Sequence, residues 1–164
     1  MLNHLKDFIS SCLYKTYYHF KHRWQPISLG CRALLVQEAA TEGQAPQILL
    51  VRHSYIKGWY LPGGGVQRRE ALSAAIVREV SEECQLQIVA PVLLGMYFSL
   101  HAGRSDHIAL YLIRQFSPIA KAPQDPEIAE CRFFALDALP TDTSAATMRR
   151  IAEYFKQQPQ TEQW

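Results

Sequence analysis

LPGGGVQRREALSAAIVREVSEECQL, residues 61–86, joins a glycine turn, a helix and a cluster of carboxylates in one continuous segment. Gly63, Gly64 and Gly65 follow Pro62, so the backbone there is free to take positive φ and to approach an ion or phosphate with no Cβ in the way. The spacing predicts a helix that begins near Glu70. No Gly or Pro occurs from Ala71 to Cys84, and Leu72, Ile76 and Val80 recur every fourth residue, the repeat of one buried face. At about 100° per residue, Glu79 and Glu83 share the azimuth of Leu72 and Ile76, with Glu82 about 80° from that line. Like charges at i,i+3 and i,i+4 cost a helix about 0.2–0.5 kcal/mol per pair, and the dipole disfavours anions at the C-terminal end. Stability alone does not select these residues. A hard divalent cation does, because Mg²⁺ or Mn²⁺ takes carboxylate, carbonyl and water oxygens and leaves room for substrate phosphate. Without the glycine turn, the competing reading is a solvated acidic helix with Arg78 paired to Glu82.

The glycine turn and the helix together resemble a known family. Gly64, five residues, Glu70, seven residues and then Arg78-Glu79-Val80-Ser81-Glu82-Glu83 is similar to the Nudix box of the Nudix hydrolases, with Trp59-Tyr60-Leu61-Pro62 ahead of it also typical. The resemblance implies that Glu79, Glu82 and Glu83 bind metal together with the carbonyl of Gly63, and that Glu70 and Arg78 brace the loop against the helix. It implies attack of water on a diphosphate with Mg²⁺ or Mn²⁺ as cofactor, since a bound cation neutralises phosphate charge and lowers the pKa of bound water. Glu79, Glu82 and Arg78 are the expected catalytic residues. The base is a box glutamate or one from a later loop, and the sequence leaves both open. Gln85 stands where the family has glycine to turn the chain out of the helix, and Arg69 also replaces a frequent glycine. A non-glycine residue at such a left-handed position costs about 1 kcal/mol.

Around this segment, 164 residues with 48% hydrophobic content make one domain with a proper core. A formal charge of +2 argues against nucleic acid or an anionic membrane as the main partner. Cys12, Cys31, Cys84 and Cys131 have no CxxC spacing, which points away from a zinc site or disulfide framework and toward the cytoplasm. Residues 1–24 read as an amphipathic helix, with Leu5, Phe8, Ile9, Cys12, Leu13, Tyr17 and Phe20 in one stripe, packed on the domain or on a dimer partner. Strands are expected over Ile27–Val36, Gln47–Arg52, Val89–Leu100, His107–Phe116 and Cys131–Leu136, with a hairpin connection over Ala102–Asp106. A last helix spans Ser144–Lys156. Arg52 and Lys57 precede the glycine turn and are offered with Gly64 as substrate contacts, though each cation reads equally as an ordinary loop residue. Glu127, in the proline-rich segment Ser117–Glu130, resembles the downstream carboxylate that some Nudix hydrolases bring to the metal, with Asp106 and Glu130 as rivals.

The alternation of strands and helices predicts an α/β fold with a mixed β-sheet, and the resemblance implies a Nudix-type α/β/α sandwich over residues 25–158, with an N-terminal amphipathic helix and a loose tail at 159–164 expected beside it. The expected function is metal-dependent hydrolysis of the diphosphate in a small nucleoside diphosphate or triphosphate derivative, by a monomer or homodimer. The alternatives are a nucleotide sensor that keeps the fold without turnover, and an RNA 5′-end or dinucleoside polyphosphate hydrolase.

Overall fold

The computed structural model describes residues 27–39, 41–101, 104–120, 125–156 and 159–164. The helix expected over residues 1–24 lies outside them. The elements are β1 (Ile27–Gln37), β2 (Gln47–His53), α1 (Leu72–Cys84), β3 (Leu86–Val89), β4 (Val92–His101), β5 (Arg104–Ile113), β6 (Gln115–Pro118), β7 (Ile128–Ala135) and α2 (Ala145–Lys156). Five strands form one sheet in the order β4-β5-β1-β2-β7. β1 and β5 run parallel from Ile27↔Ser105 to Leu35↔Ile113, and the other pairs are antiparallel. The sheet is therefore mixed.

β1 lies at its centre and sorts the core by strand alternation. Cys31, Ala33 and Leu35 face α1 and cluster with Ala75, Ile76 and Val80. Leu34 and Val36 face the other way and cluster with Ile151 of α2. Each helix thus covers one face of the sheet, the α/β/α arrangement expected. Ile76 and Val80 are fully buried, and each contributes about 1.5–3 kcal/mol on leaving water. Among the described residues no helix is long and apolar enough to cross a membrane.

The boundaries differ from the sequence reading where backbone chemistry or distant partners intervene. Val89–Leu100 is not one strand: Ala90 takes φ 49 and Pro91 has no N–H to give a ladder. The chain turns there, and Leu86–Val89 pairs with β6 as a separate two-stranded sheet. Arg104, Ser105 and Asp106 belong to β5 rather than to the hairpin connection. They bond to β4 on one side, and β1 flanks Ser105 and Asp106 on the other. β7 begins at Ile128, three residues early, because its first residues pair with His53 and Arg52 of β2.

The tail is also better held than its polarity implied. Phe98 N–H donates to Glu162 O (2.6 Å) and Trp164 N–H to Phe98 O (2.8 Å), so residues 162–164 extend along the outer edge of β4. The Trp164 ring meets Tyr97 edge-on at 5.7 Å, and the buried Arg150 donates to Gln163 O at 2.7 Å. Covering a sheet edge in this way removes a surface open to unwanted pairing.

Gln85 ends α1 at φ 56, ψ 37, a left-handed cap whose N–H bonds Ser81 O. The turn therefore forms with glutamine in the glycine conformation. Arg69, the other residue standing at a frequent family glycine, sits at φ 64. Gln85→Gly is expected to raise stability by about 1 kcal/mol, read as a higher urea midpoint at unchanged slope; an unchanged or lower midpoint would show that the cap is unstrained.

Candidate active site

The site starts from two anchored ends. Val51 and Tyr60 exchange both backbone hydrogen bonds at 2.9 Å, which fixes Trp59 and Leu61 in the core against Phe134 and Thr147. The chain then crosses β1: Ala33 N–H donates to Pro62 O, Cys31 N–H to Gly64 O, and Val66 N–H to Leu29 O, each at 2.9 Å. Gly63 is obligatory in that crossing. It takes φ 132, and a Cβ there would lie 2.3 Å from Cys31 O. A Cβ on Gly64 would lie 2.5 Å from Glu79 Oε2, so the same turn leaves space for a carboxylate. The Gly63 carbonyl, lying between two that bond β1, accepts no hydrogen bond from a described residue.

Arg78 ties the turn to the helix. Its Nε and Nη2 donate to the two oxygens of Glu70 at 2.8 and 3.0 Å, and Nη2 also reaches Gly65 O at 3.1 Å. Nη1 donates to Glu79 Oε1 (2.7 Å) and Glu82 Oε2 (3.0 Å). Glu70 in turn accepts Gln67 N–H at 2.8 Å. The guanidinium, followed by that amide bond, holds Glu70 down to about 2, and the carboxylates raise Arg78 further. This is a two-pronged fork that lysine does not reproduce.

The remaining carboxylates are held differently. Burial raises Glu79, more than its Arg78 contacts lower it, while half of the Glu82 side chain is open to solvent. Glu83 accepts the Gly63 N–H at 2.7 Å, yet burial pushes it up to about 7. Among the described residues no three acidic, histidine or cysteine side chains already converge as a metal cage. The reason is visible: Arg78 draws Glu79 and Glu82 to one side, and the turn amide holds Glu83. Cys84, next in sequence, has its thiol raised by a hydrogen bond to Cys131 and by burial, so it stays protonated and is no nucleophile.

The structure brings Gly63, Gly64, Glu70, Arg78, Glu79, Glu82 and Glu83 together. Arg52 is engaged elsewhere, donating to Glu130 Oε2 at 2.7 Å with its guanidinium 5.4 Å from the Trp59 ring centroid. Lys57 is exposed, and its carbonyl accepts the Tyr60 hydroxyl. Glu127 is also exposed; its N–H bonds Asp125 Oδ1 and its carbonyl receives Ser54 N–H, both at 2.8 Å. From that loop it is Asp125 whose charge acts on Glu83 and on His53. Asp106 lies in β5, and Glu130 is paired with Arg52. Sequence reasoning missed Asp125, Arg32 and His53. Burial lowers His53, and its Nδ1 is buried without a partner among the described residues. Arg32 had a visible signal, a lone cation in the apolar run Cys31–Val36.

The NUDIX domain family model matches residues 32–155. The chain belongs to the Nudix family. It is 34% identical over 99 residues to the ADP-ribose pyrophosphatase of Methanocaldococcus jannaschii, and the match spans 57% of each chain. Among solved structures it resembles the MutT Nudix hydrolase from Burkholderia pseudomallei, with TM-score 0.63 and 27% identity over 76% of this chain and 95% of that one. A Nudix hydrolase from Nitrosomonas europaea shares the fold, with TM-score 0.65 and 19% identity over 82% of this chain and 97% of that one. Nudix hydrolases act on small nucleotide derivatives and generally use divalent metal ions.

Because Glu83 titrates above the ordinary carboxylate range when folded, its contribution to stability is fully present below about 4.5 and is lost as pH rises through about 7. In chelator, the melting temperature is expected to fall between pH 5 and 8. Glu83→Gln, which keeps an acceptor for Gly63 N–H, is expected to flatten that fall; an equal fall in both proteins would contradict the assignment.

Proposed function

We propose that the chain hydrolyses the diphosphate linkage of a small nucleoside diphosphate derivative, with a divalent cation held by Glu79, Glu82, Glu83 and the Gly63 carbonyl. The observation that supports this most strongly is the Arg78 fork, which binds turn and helix into one unit and holds Glu79 and Glu82 beside the glycine turn whose amide holds Glu83. The residues present fit such a cation. Two of the carboxylates carry a burial cost that their protein contacts do not offset, the Gly63 carbonyl has no donor among the described residues, and the donors are all hard oxygens. When bound, the cation supplies charge neutralisation at the phosphates and a more acidic water.

The chain's own residues do the rest. Arg78 orients Glu79 and Glu82 through Nη1, and Glu70 holds Arg78 in place for that task. Glu82, the most solvent-open of the three, takes the proton of the attacking water as its oxygen bonds to phosphorus. The bond from phosphorus to the bridging oxygen breaks, and two phosphate-bearing products leave. ADP-ribose is the first substrate to try, since the archaeal relative is an ADP-ribose pyrophosphatase.

The test is product release from ADP-ribose, nucleotide sugars, nucleoside triphosphates and dinucleoside polyphosphates, with Mg²⁺ or Mn²⁺. Glu82→Gln is expected to lose at least about a hundredfold in kcat, about 2.7 kcal/mol of barrier, and all three variants, Glu79→Gln, Glu82→Gln and Glu83→Gln, are expected to weaken Mn²⁺ binding as well. Turnover undiminished in all three variants or persisting in chelator would refute the mechanism. A nucleotide that binds without turnover would support a sensor instead.

A further inference from the structure

Arg32 sits on β1 between Cys31 and Ala33, the two residues whose amides bond the glycine turn. The turn therefore runs along the backbone of Arg32 itself: a Cβ on Gly63 would stand 3.0 Å from Arg32 Cα. Strand alternation sends the Arg32 side chain to the face opposite Cys31 and Ala33, next along the strand from the buried Leu34 on that face.

Its bonding is unusual for a half-buried arginine. A guanidinium has five N–H donors. Among the described residues Arg32 has only one hydrogen bond, from Nη1 to the carbonyl of its neighbour Cys31 at 2.9 Å. It makes no ion pair there, whereas Arg52 and Arg78 near the site are both matched to carboxylates. The carbonyl that its Nη1 reaches is the one against which Gly63 packs, so the guanidinium folds back toward the glycine turn, and its charge acts on Glu79, Glu83 and His53. A half-buried cation with no carboxylate partner among the described residues adds little to stability. It suits an anionic ligand that supplies several acceptors at once, and a phosphate does so in the geometry of the fork. A diphosphate nearing these glutamates also meets repulsion, which a fixed cation on the sheet side offsets.

We propose that Arg32 binds the substrate's diphosphate through its non-bridging oxygens, from the side of β1, while the α1 carboxylates hold the metal on the other side. The inference rests on the hydrolase reading and names the residue that anchors the substrate, a role that Arg52 does not fill while it is paired with Glu130.

The experiment compares wild type, Arg32→Gln, Arg32→Lys and Arg52→Gln by steady-state kinetics on whichever substrate the panel identifies, with Mn²⁺ affinity and melting temperature measured alongside. Arg32→Gln is expected to raise KM at least tenfold, with Mn²⁺ affinity equal or higher because a cation facing the carboxylates has been removed. Arg32→Lys is expected to recover part of the loss, and Arg52→Gln to leave KM within about twofold. An unchanged KM in Arg32→Gln overturns the proposal while leaving the hydrolase reading intact. So does a fall in Mn²⁺ affinity that accounts for the whole loss, since Arg32 then only positions the carboxylates. If wild type hydrolyses nothing, the hydrolase reading falls, and calorimetric binding of ADP-ribose with Mn²⁺ still decides Arg32: tenfold weaker binding in Arg32→Gln supports it, and equal or absent binding refutes it.

Discussion

The Arg78 guanidinium is the interaction on which the rest of the site depends. One planar cation spends its donors on both oxygens of Glu70, the Gly65 carbonyl, Glu79 and Glu82. The loop from Gly65 to Glu70 is thereby closed on the helix that follows it, and carboxylates that repel one another are kept within a few ångströms. A lysine has the charge but not the fork, and it reaches one of these partners at the expense of the others. Glu79, Glu82 and Glu83 lie at the C-terminal end of α1, where the dipole is unfavourable to them, so stability alone does not account for their place in the fold.

Small residues make this arrangement possible. Cys31, Ala33 and Ala75 are fully buried where α1 meets β1, and Gly63 presses against the carbonyl of Cys31. Larger side chains at these positions would lift the turn away from β1 and carry the Gly63 amide away from Glu83. The core and the site are thus one packing problem, and the central strand belongs to both.

The glycine turn, α1 and the three glutamates were legible in the sequence because all of them lie within one local segment, where spacing sets the geometry, and the Arg78–Glu70 pair was implied by the resemblance to the Nudix box. The parts contributed by distant segments were not. Arg32 meets the turn through strand pairing across more than thirty residues, and Asp125 arrives on a loop whose path depends on Ser54 and β7. The engagement of Arg52 with Glu130 required the β2–β7 register. The polar tail hid the fact that Trp164 has Tyr97 and the Arg150 guanidinium to pack against. Ala90 and Pro91 were visible as residues, but the break they make between β3 and β4 follows from β6 offering a second partner.

The proposed metal centre joins the glycine turn to the α1 carboxylates. The most direct measurement is paramagnetic broadening of backbone amide signals as Mn²⁺ is titrated into the protein. The first signals lost should be those of Gly63 to Gly65 and Glu79 to Glu83, and they should persist in the Glu79→Gln, Glu83→Gln double variant at the same Mn²⁺ concentration. Broadening that begins instead around Asp125 to Glu130, or that is unaltered in the double variant, would place the metal elsewhere and contradict the account.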